Sequence, residues 1–428
     1  MKASQAASDS TTSPPDRPTT PFRFVPTPAR LIVPLSTRAP REGTDAKPPD
    51  TRLSRGDALA EHVPETAHLP LSSVAGAIVG TTRVDLLNGH RVAGVEIQVD
   101  RSAPTTTPEH AAPDETADLT AWIDRLRRAG VWAERRNSPD LLAQLHQAIR
   151  RPCDTIICNV LDAEEAVPLN GSLARAFPAE LIAGVRTLAR ALRASRRIVA
   201  MDADAASADV SRLRRATEGD TAVRFVPLSN SYPQADPTLM LYTLLHRRLR
   251  PGRSPAEAGV ILLDAAAAVA VGRVALTNEP MLDVHLAVRD VEHDRTHLVT
   301  TPVGTPLRHV LEHLGVVPAA VPRVGEALRD QTVSRDAVVS GGELVVHVGY
   351  ASPSFNPDPC IRCGWCAAAC PTRIQPAGLL EASQRDDPAL AERYGIEACI
   401  ECGVCSYVCP SRLPLLGAIR EMRHRRRE

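Results

Sequence analysis

The sequence predicts a multidomain chain of α/β and α+β layers that ends in a cysteine-rich metal module, and three observations lead there. At 428 residues the chain exceeds what one hydrophobic core organises. Between residues 118 and 276, apolar runs of strand character alternate with helical patterns. Eight of the ten cysteines fall between Cys360 and Cys409.

Composition narrows the function classes. Hydrophobic residues make up 43% and charged residues 23%, which is globular, and the formal net charge of zero gives no bulk pull toward nucleic acid. Lysine occurs only at Lys2 and Lys47, so any phosphate contact beyond them relies on arginine, histidine or backbone. No apolar run reaches the roughly 18 residues of a membrane span, and the start, MKASQAASDSTTSPPDRPTT, lacks the apolar core of a signal peptide. A cytoplasmic chain is expected, held by partner subunits if it works at the inner face of the cell membrane. Clustered cysteines in that compartment point to metal rather than disulfides.

Residues 1–21, rich in Ser, Thr, Pro and Asp, read as a disordered tail. From 22 to 100, short apolar pieces such as Leu31-Ile32-Val33 and Ala77-Ile78-Val79 are broken by Gly and Pro, the pattern of a small β domain. Residues 101–117, with three consecutive threonines and three prolines, read as a linker. In 118–276, helices are expected at Leu119–Arg128, Glu180–Leu192 and Thr238–Arg248. Strands are expected at Thr155–Val160, Ile198–Ala200, Val223–Val226 and Val260–Leu263, giving a Rossmann-like layer with a largely parallel sheet. Residues 277–349 suit a small α+β module, with strands at Leu282–Val288, His297–Thr300 and Glu343–Val348 around a helix at Pro306–Leu314. Cys153 and Cys158 lie beside or on an apolar strand and read as buried structural thiols, and the scattered histidines, among them His246, His309 and His313, as surface or satisfied core.

The last domain, 350–428, holds an internal repeat. Cys360-Ile-Arg-Cys363-Gly-Trp-Cys366-Ala-Ala-Ala-Cys370-Pro371 and Cys399-Ile-Glu-Cys402-Gly-Val-Cys405-Ser-Tyr-Val-Cys409-Pro410 share the spacing C-x2-C-x2-C-x3-C-P. Three cysteines at this pitch wrap one cuboidal cluster, and the fourth, before a proline, is aimed at the other. Two [4Fe-4S] clusters follow: Cys360, Cys363, Cys366 and Cys409 hold the first, and Cys399, Cys402, Cys405 and Cys370 the second. Gly364 and Gly403 let backbone approach the inorganic sulfurs. Helices expected at Gly378–Arg385 and Pro388–Tyr394 put the clusters in a helical module rather than a compact βαββαβ ferredoxin. Two four-cysteine zinc sites would use the same thiols, but zinc sites rarely place a third cysteine at this spacing or end in Cys-Pro. The basic run Arg420 to Arg427 reads as a solvated helix end, with anionic lipid or an acidic partner as the alternative.

With the repeat in hand, the chain from about Phe24 to Leu415 resembles the C subunit of the Rnf-type (Rsx-type) electron transport complex, a relative of the NADH-oxidising, FMN-binding subunit of respiratory complex I. Leu31 to Leu35, Arg55-Gly56-Asp57 and Ser72 to Val79 resemble the family's lipoyl-like barrel-sandwich domain. Ser231-Tyr232-Pro233-Gln234-Ala235 resembles its Tyr-Pro-Gln-Gly element, and Ser254 to Val260 its Pro-Ala-Asp-Ala-Gly segment. Pro302 to Pro306 resembles its SLBB-type β-grasp module, and Leu413-Pro414-Leu415 its closing Ile-Pro-Leu. The family's flavin loop, Gly-Leu-Gly-Gly-Ala-Gly-Phe-Pro-Thr and then a lysine, is replaced here by Ala129-Gly130-Val-Trp-Ala-Glu-Arg135-Arg136-Asn-Ser-Pro139. Its Asn-x-x-Glu-Cys-Glu-Pro segment becomes Asn159-Val-Leu-Asp162-Ala-Glu164-Glu165. The resemblance thus implies a degenerate FMN/NADH site at Gly130, Arg135, Arg136, Asn159, Asp162 and Glu164.

The function implied is electron transfer through two clusters as a subunit of a membrane-associated redox complex. Its partners would be the membrane subunits and a soluble donor or acceptor such as NADH or ferredoxin. An FMN-dependent NADH dehydrogenase subunit is the second reading, and a structural or regulatory metal module the third. NADH-dependent turnover is left open by the altered loop.

Overall fold

A computed structural model describes residues 22–37, 45–103, 118–205, 207–316, 321–349 and 356–426. The expected N-terminal tail and most of the expected linker lie outside them. The described residues form three sheets and a helical C-terminal module.

The first sheet is antiparallel, in the order Arg30–Pro34, Arg91–Val99, Gly76–Asp85, Arg52–Leu53. Leu31, Val33, Ile78, Val95 and Ile97 are buried along it. Arg23–Phe24 does not join this sheet but pairs in parallel with Val299 and Thr300 of the mixed sheet described below.

The second sheet is parallel throughout, in the order Val223–Leu228, Arg196–Asp202, Thr155–Asn159, Val260–Asp264. The strands Thr-Ile-Ile-Cys-Asn and Val-Ile-Leu-Leu-Asp are buried at every residue, the signature of a sheet covered on both faces. Cys158 ends up inside one of these strands and Cys153 just before it, and burial raises both thiols, Cys153 to about 11.

Helices Pro178–Leu192 and Ala265–Thr277 pack on this sheet and on each other at backbone distance. A methyl group on Gly184 would lie 2.1 Å from the Ala268 carbonyl oxygen, and one on Gly272 only 1.7 Å from that of Glu180. Gly272→Ala gains about 1 kcal/mol of helix propensity but drives a carbon into backbone that no rotamer change relieves. Overpacking of this kind costs about 1–3 kcal/mol or more, so a net loss of about 2 kcal/mol is expected in a denaturant melt. A variant as stable as the parent would show that the two helices separate at no cost.

The third sheet is mixed, in the order Arg23–Phe24, Arg295–Pro302, Asp283–Asp290, Val345–Val348, Arg323–Val324, Gln331–Thr332. Helix Leu307–His313 packs on it through Leu307, Val310 and Leu311. The C-terminal module is built from helices Pro376–Arg385, Pro388–Arg393 and Leu415–Arg425 around Leu379, Ile396, Ile419 and Met422. The chain is thus a mixed α/β multidomain protein. Among the described residues no helix is long and apolar enough to cross a membrane.

Candidate functional site

The two cysteine runs repeat in backbone as well as in sequence. Each leads into a one-turn helix, Trp365–Ala368 or Val404–Tyr407, entered through a left-handed glycine with φ of 80° at both Gly364 and Gly403. Two further pairs of matched positions are left-handed without being glycine: Arg362 and Glu401 at 56° and 53°, and Arg373 and Arg412 at 58° and 54°. Such a conformation is costly for a residue with a Cβ, so its recurrence at equivalent positions shows that both runs wrap in the same way.

Amide groups turn inward on the sulfurs. The Glu401 N–H lies 3.3 Å from Cys399 Sγ, and the amides of Val404 and Ser406 donate to Cys402 and Cys405. Burial raises the Cys405 thiol to about 12, with Cys399, Cys402 and Cys370 adding to it, and it raises Cys402 with help from Cys370. Cys370, from the first run, is therefore close enough to raise thiols of the second. Burial likewise raises Cys366, and Cys409, from the second run, and Cys360 push the same way. Among the described residues no three His, Cys, Asp or Glu side chains converge as the shell of a single ion. Four thiolates on a cuboidal cluster stand on separate irons, farther apart than the ligands of one zinc at about 2.3 Å each.

The second run is anchored to the rest of the chain. Gly403 lies so close to the Leu328 carbonyl that a Cβ there would approach to 2.0 Å. The Tyr232 hydroxyl donates to the Cys402 carbonyl at 2.6 Å and lies 3.1 Å from Glu326 Oε2. Arg136 donates to the Ile400 carbonyl and, at 2.8 Å, to Asp236. Glu401 receives Arg423 at 2.6 Å and Arg420 at 3.2 Å, while Arg425 and Arg426 pair with acidic residues of the same module. The basic C-terminal run is therefore engaged in fixing the module's own geometry.

Beside this anchor lies a cleft between the parallel and mixed sheets, lined in part by Arg135, Arg136, Asp162, Glu164, Asp264 and Glu326. Arg135 makes a bidentate pair with Asp264, at 2.6 Å to each oxygen, and also donates to the Gly341 carbonyl. Arg329, a further lining arginine, pairs with Glu326 at 3.3 Å. Asp162 accepts the Asn170 and Gly171 amides at 2.6 and 3.1 Å and so caps a helix. Glu164 accepts the Ala327 amide at 2.7 Å and lies 3.1 Å from His347 Nε2. Asn159 is buried, holding Ala235 and Leu161. Gly130 lies apart from the cleft, against Leu69 and Leu71. Burial, reinforced by Glu326, pushes the Glu343 carboxyl on the same wall up to about 7.

These residues do not fit a flavin phosphate. The three arginines lining the cleft are already bound to carboxylates, the surplus charge is negative, and no row of glycines offers backbone amides. The sequence does not mark Asp264, Glu326, Tyr232 and Asp236 as site residues. Tyr232 falls in the Tyr-Pro-Gln element, and Asp264 leaves a local signal as an acidic residue between a buried strand and an alanine-rich helix; Glu326 and Asp236 leave none.

Comparison with known proteins agrees with the two halves of this geometry. Residues 141–273 match the Nuo51 FMN-binding domain, beginning just after the altered 129–139 loop, and residues 352–410 match the 4Fe-4S dicluster domain. The dicluster match, with the eight cysteines, means two [4Fe-4S] clusters. The C subunit of the ion-translocating oxidoreductase complex of Edwardsiella ictaluri (strain 93-146) is 27% identical over 389 residues, covering 88% of this chain and 48% of its own length. Its counterpart from Cronobacter sakazakii (strain ATCC BAA-894) is 26% identical over 406 residues, covering 87% and 49%. The chain therefore spans about half the length of these relatives. Among solved structures, an NAD+-reducing [NiFe]-hydrogenase in the H2-reduced state superposes with a TM-score of 0.49 at 16% identity, over 76% of this chain and 64% of that one. By these matches the chain is similar, over most of its own length and about half of theirs, to the C subunits of ion-translocating oxidoreductase complexes.

Proposed function

We propose that the chain passes electrons through its two clusters as a component of a membrane-associated redox complex, in the place its relatives' C subunits hold, and that the former flavin cleft serves as a brace. What supports this reading is the mutual influence of thiols across the runs: Cys370 raises Cys402 and Cys405, and Cys409 raises Cys366. Cys360, Cys363, Cys366 and Cys409 would hold one cluster and Cys399, Cys402, Cys405 and Cys370 the other. When bound, the clusters supply one-electron storage at potentials the protein sets through amide bonds and burial. The amides of Glu401, Val404 and Ser406 act on the sulfurs of the second run, and Arg136 and Tyr232 hold the carbonyls of Ile400 and Cys402.

The finer architecture follows the same reading. The antiparallel sheet over 30–99 supports a barrel-sandwich domain, the parallel sheet a degenerate flavin domain at 118–276, and the mixed sheet with its packed helix an SLBB-like module at 277–349. Residues 350–428 would then be the two-cluster domain. The described helices place no span in a membrane, so partner subunits would hold the chain at its inner face.

The deciding experiment offers NADH, with FMN supplied, to anaerobically reconstituted protein, with dithionite as positive control and electron paramagnetic resonance as readout. Dithionite is expected to reduce both clusters and NADH neither. Reduction by NADH would overturn the closed cleft and restore the dehydrogenase reading.

A further inference from the structure

The two cysteine runs share a backbone but not an environment. Cys399 and Cys402 are buried beneath Leu328, Arg136 and Tyr232, whereas Cys360 and Cys363 are exposed and no described element covers them. Ile400 is 5% exposed, and its counterpart Ile361 is 67% exposed. Tyr407, Ile361 and Trp365 are the three most exposed large hydrophobic side chains among the described residues, at 74, 67 and 60%. All three stand within two residues of a cysteine of the repeat.

The segments that carry them lie against one another. The helices that carry Trp365 and Tyr407 are packed together, the Asp358 amide donates to the Ser411 carbonyl at 3.0 Å, and the Ser411 hydroxyl donates to the Pro359 carbonyl at 3.0 Å. Exposed arginines stand close by, in or just after the same two runs. Arg362, Arg373 and Arg412 are exposed, and the guanidinium groups of Arg362 and Arg373 make no hydrogen bond or ion pair among the described residues. Asp358 is the only carboxylate between residues 356 and 374. In the second run the position of Arg362 is taken by Glu401, bound by two arginines. An aromatic and aliphatic centre inside a positive rim is the anatomy of a docking face that steers a negatively charged partner. Clustered hydrophobics at a solvent-open redox site have no folding role that keeps them exposed.

We propose that Ile361, Trp365 and Tyr407, rimmed by Arg362, Arg373 and Arg412, form the docking face for an acidic one-electron carrier protein. This rests on the electron-transfer reading above. One electron crosses per encounter: the donor is oxidised by one, the acceptor reduced by one, and no bond or proton moves.

The repeat supplies its own conservative replacements, since the other run already carries Glu401 for Arg362, Val404 for Trp365 and Ala368 for Tyr407. The full, reconstituted chain is titrated with an acidic bacterial [4Fe-4S] ferredoxin as probe. Kd is read from biolayer interferometry across ionic strength, and electron transfer from stopped flow. Arg362→Glu with Arg373→Glu is expected to raise Kd about tenfold or more and to flatten its salt dependence, whereas Trp365→Val with Tyr407→Ala raises Kd about tenfold and leaves the salt slope intact. Iron content and the dithionite-reduced resonance spectrum are expected to match wild type in both, which separates lost docking from lost clusters. Unchanged Kd in both variants, equal binding of a basic carrier, or self-association of the chain through this face would overturn the proposal. A parent protein that binds no iron would instead overturn the electron-transfer reading on which it rests.

Discussion

A Cys370→Ser chain is expected to lose the cluster of the second run, although the mutated residue belongs to the first. Iron should fall from about eight toward about four atoms per chain, because the hard serine oxygen is a poor substitute for thiolate on a soft iron–sulfur cluster. The resonance signal that disappears should match the one lost in Cys399→Ser, while Cys409→Ser and Cys360→Ser share the other. The reason is geometric: Cys370 is buried, with the Thr372 hydroxyl 3.4 Å from its sulfur, and adds to the raised thiols of Cys402 and Cys405. Loss of that cluster should also loosen the helices around Leu379 and Ile419, since ligand binding and folding are linked in a core this small. If Cys370→Ser and Cys360→Ser abolish the same signal, each run holds its own cluster and the exchange is wrong.

The second large effect is expected far from the cysteines, at Arg135. Its pair with Asp264 has both side chains 8% exposed, and replacing Arg135 by leucine leaves a buried carboxylate without its countercharge. Breaking such a pair costs about 3–5 kcal/mol, a large share of the stability of an ordinary domain. Asp264 retains the Ala267 amide at 2.8 Å, which offsets only part of the loss. Asp264→Asn added to Arg135→Leu removes the orphaned charge, and the double variant is expected to recover most of the denaturation midpoint. Wild-type stability in Arg135→Leu alone would mean the cleft admits water or an anion freely, contrary to the pairing described.

The helix at Leu119–Arg128 is legible in the sequence because Trp122, Ile123 and Leu126 recur on one face behind an Asp118 cap. The buried strands at Thr155 and Val260 announce themselves as short unbroken apolar runs. The alanine-rich helix Ala265–Thr277 is not, because small residues on every side leave little periodic contrast, and neither is Ser207–Ala216, which buries only Leu213. The cysteine runs can be read directly, since their spacing encodes the chemistry within twelve residues. The cleft cannot. Arg135 and Arg136 are legible as candidates to hold phosphate, but their carboxylate partners come from Asp264 and Asp236, about one hundred positions or more along the chain, and only the folded sheets bring them together.

A duplicated motif starts out symmetric, and one copy is interchangeable with the other. Here the surroundings have broken that equivalence: Glu401 is locked inward by arginines, while the matching Arg362 faces water. Two binding loops of common backbone thereby acquire unlike insulation, and a device with no inherent direction gains a sheltered terminal and an open one.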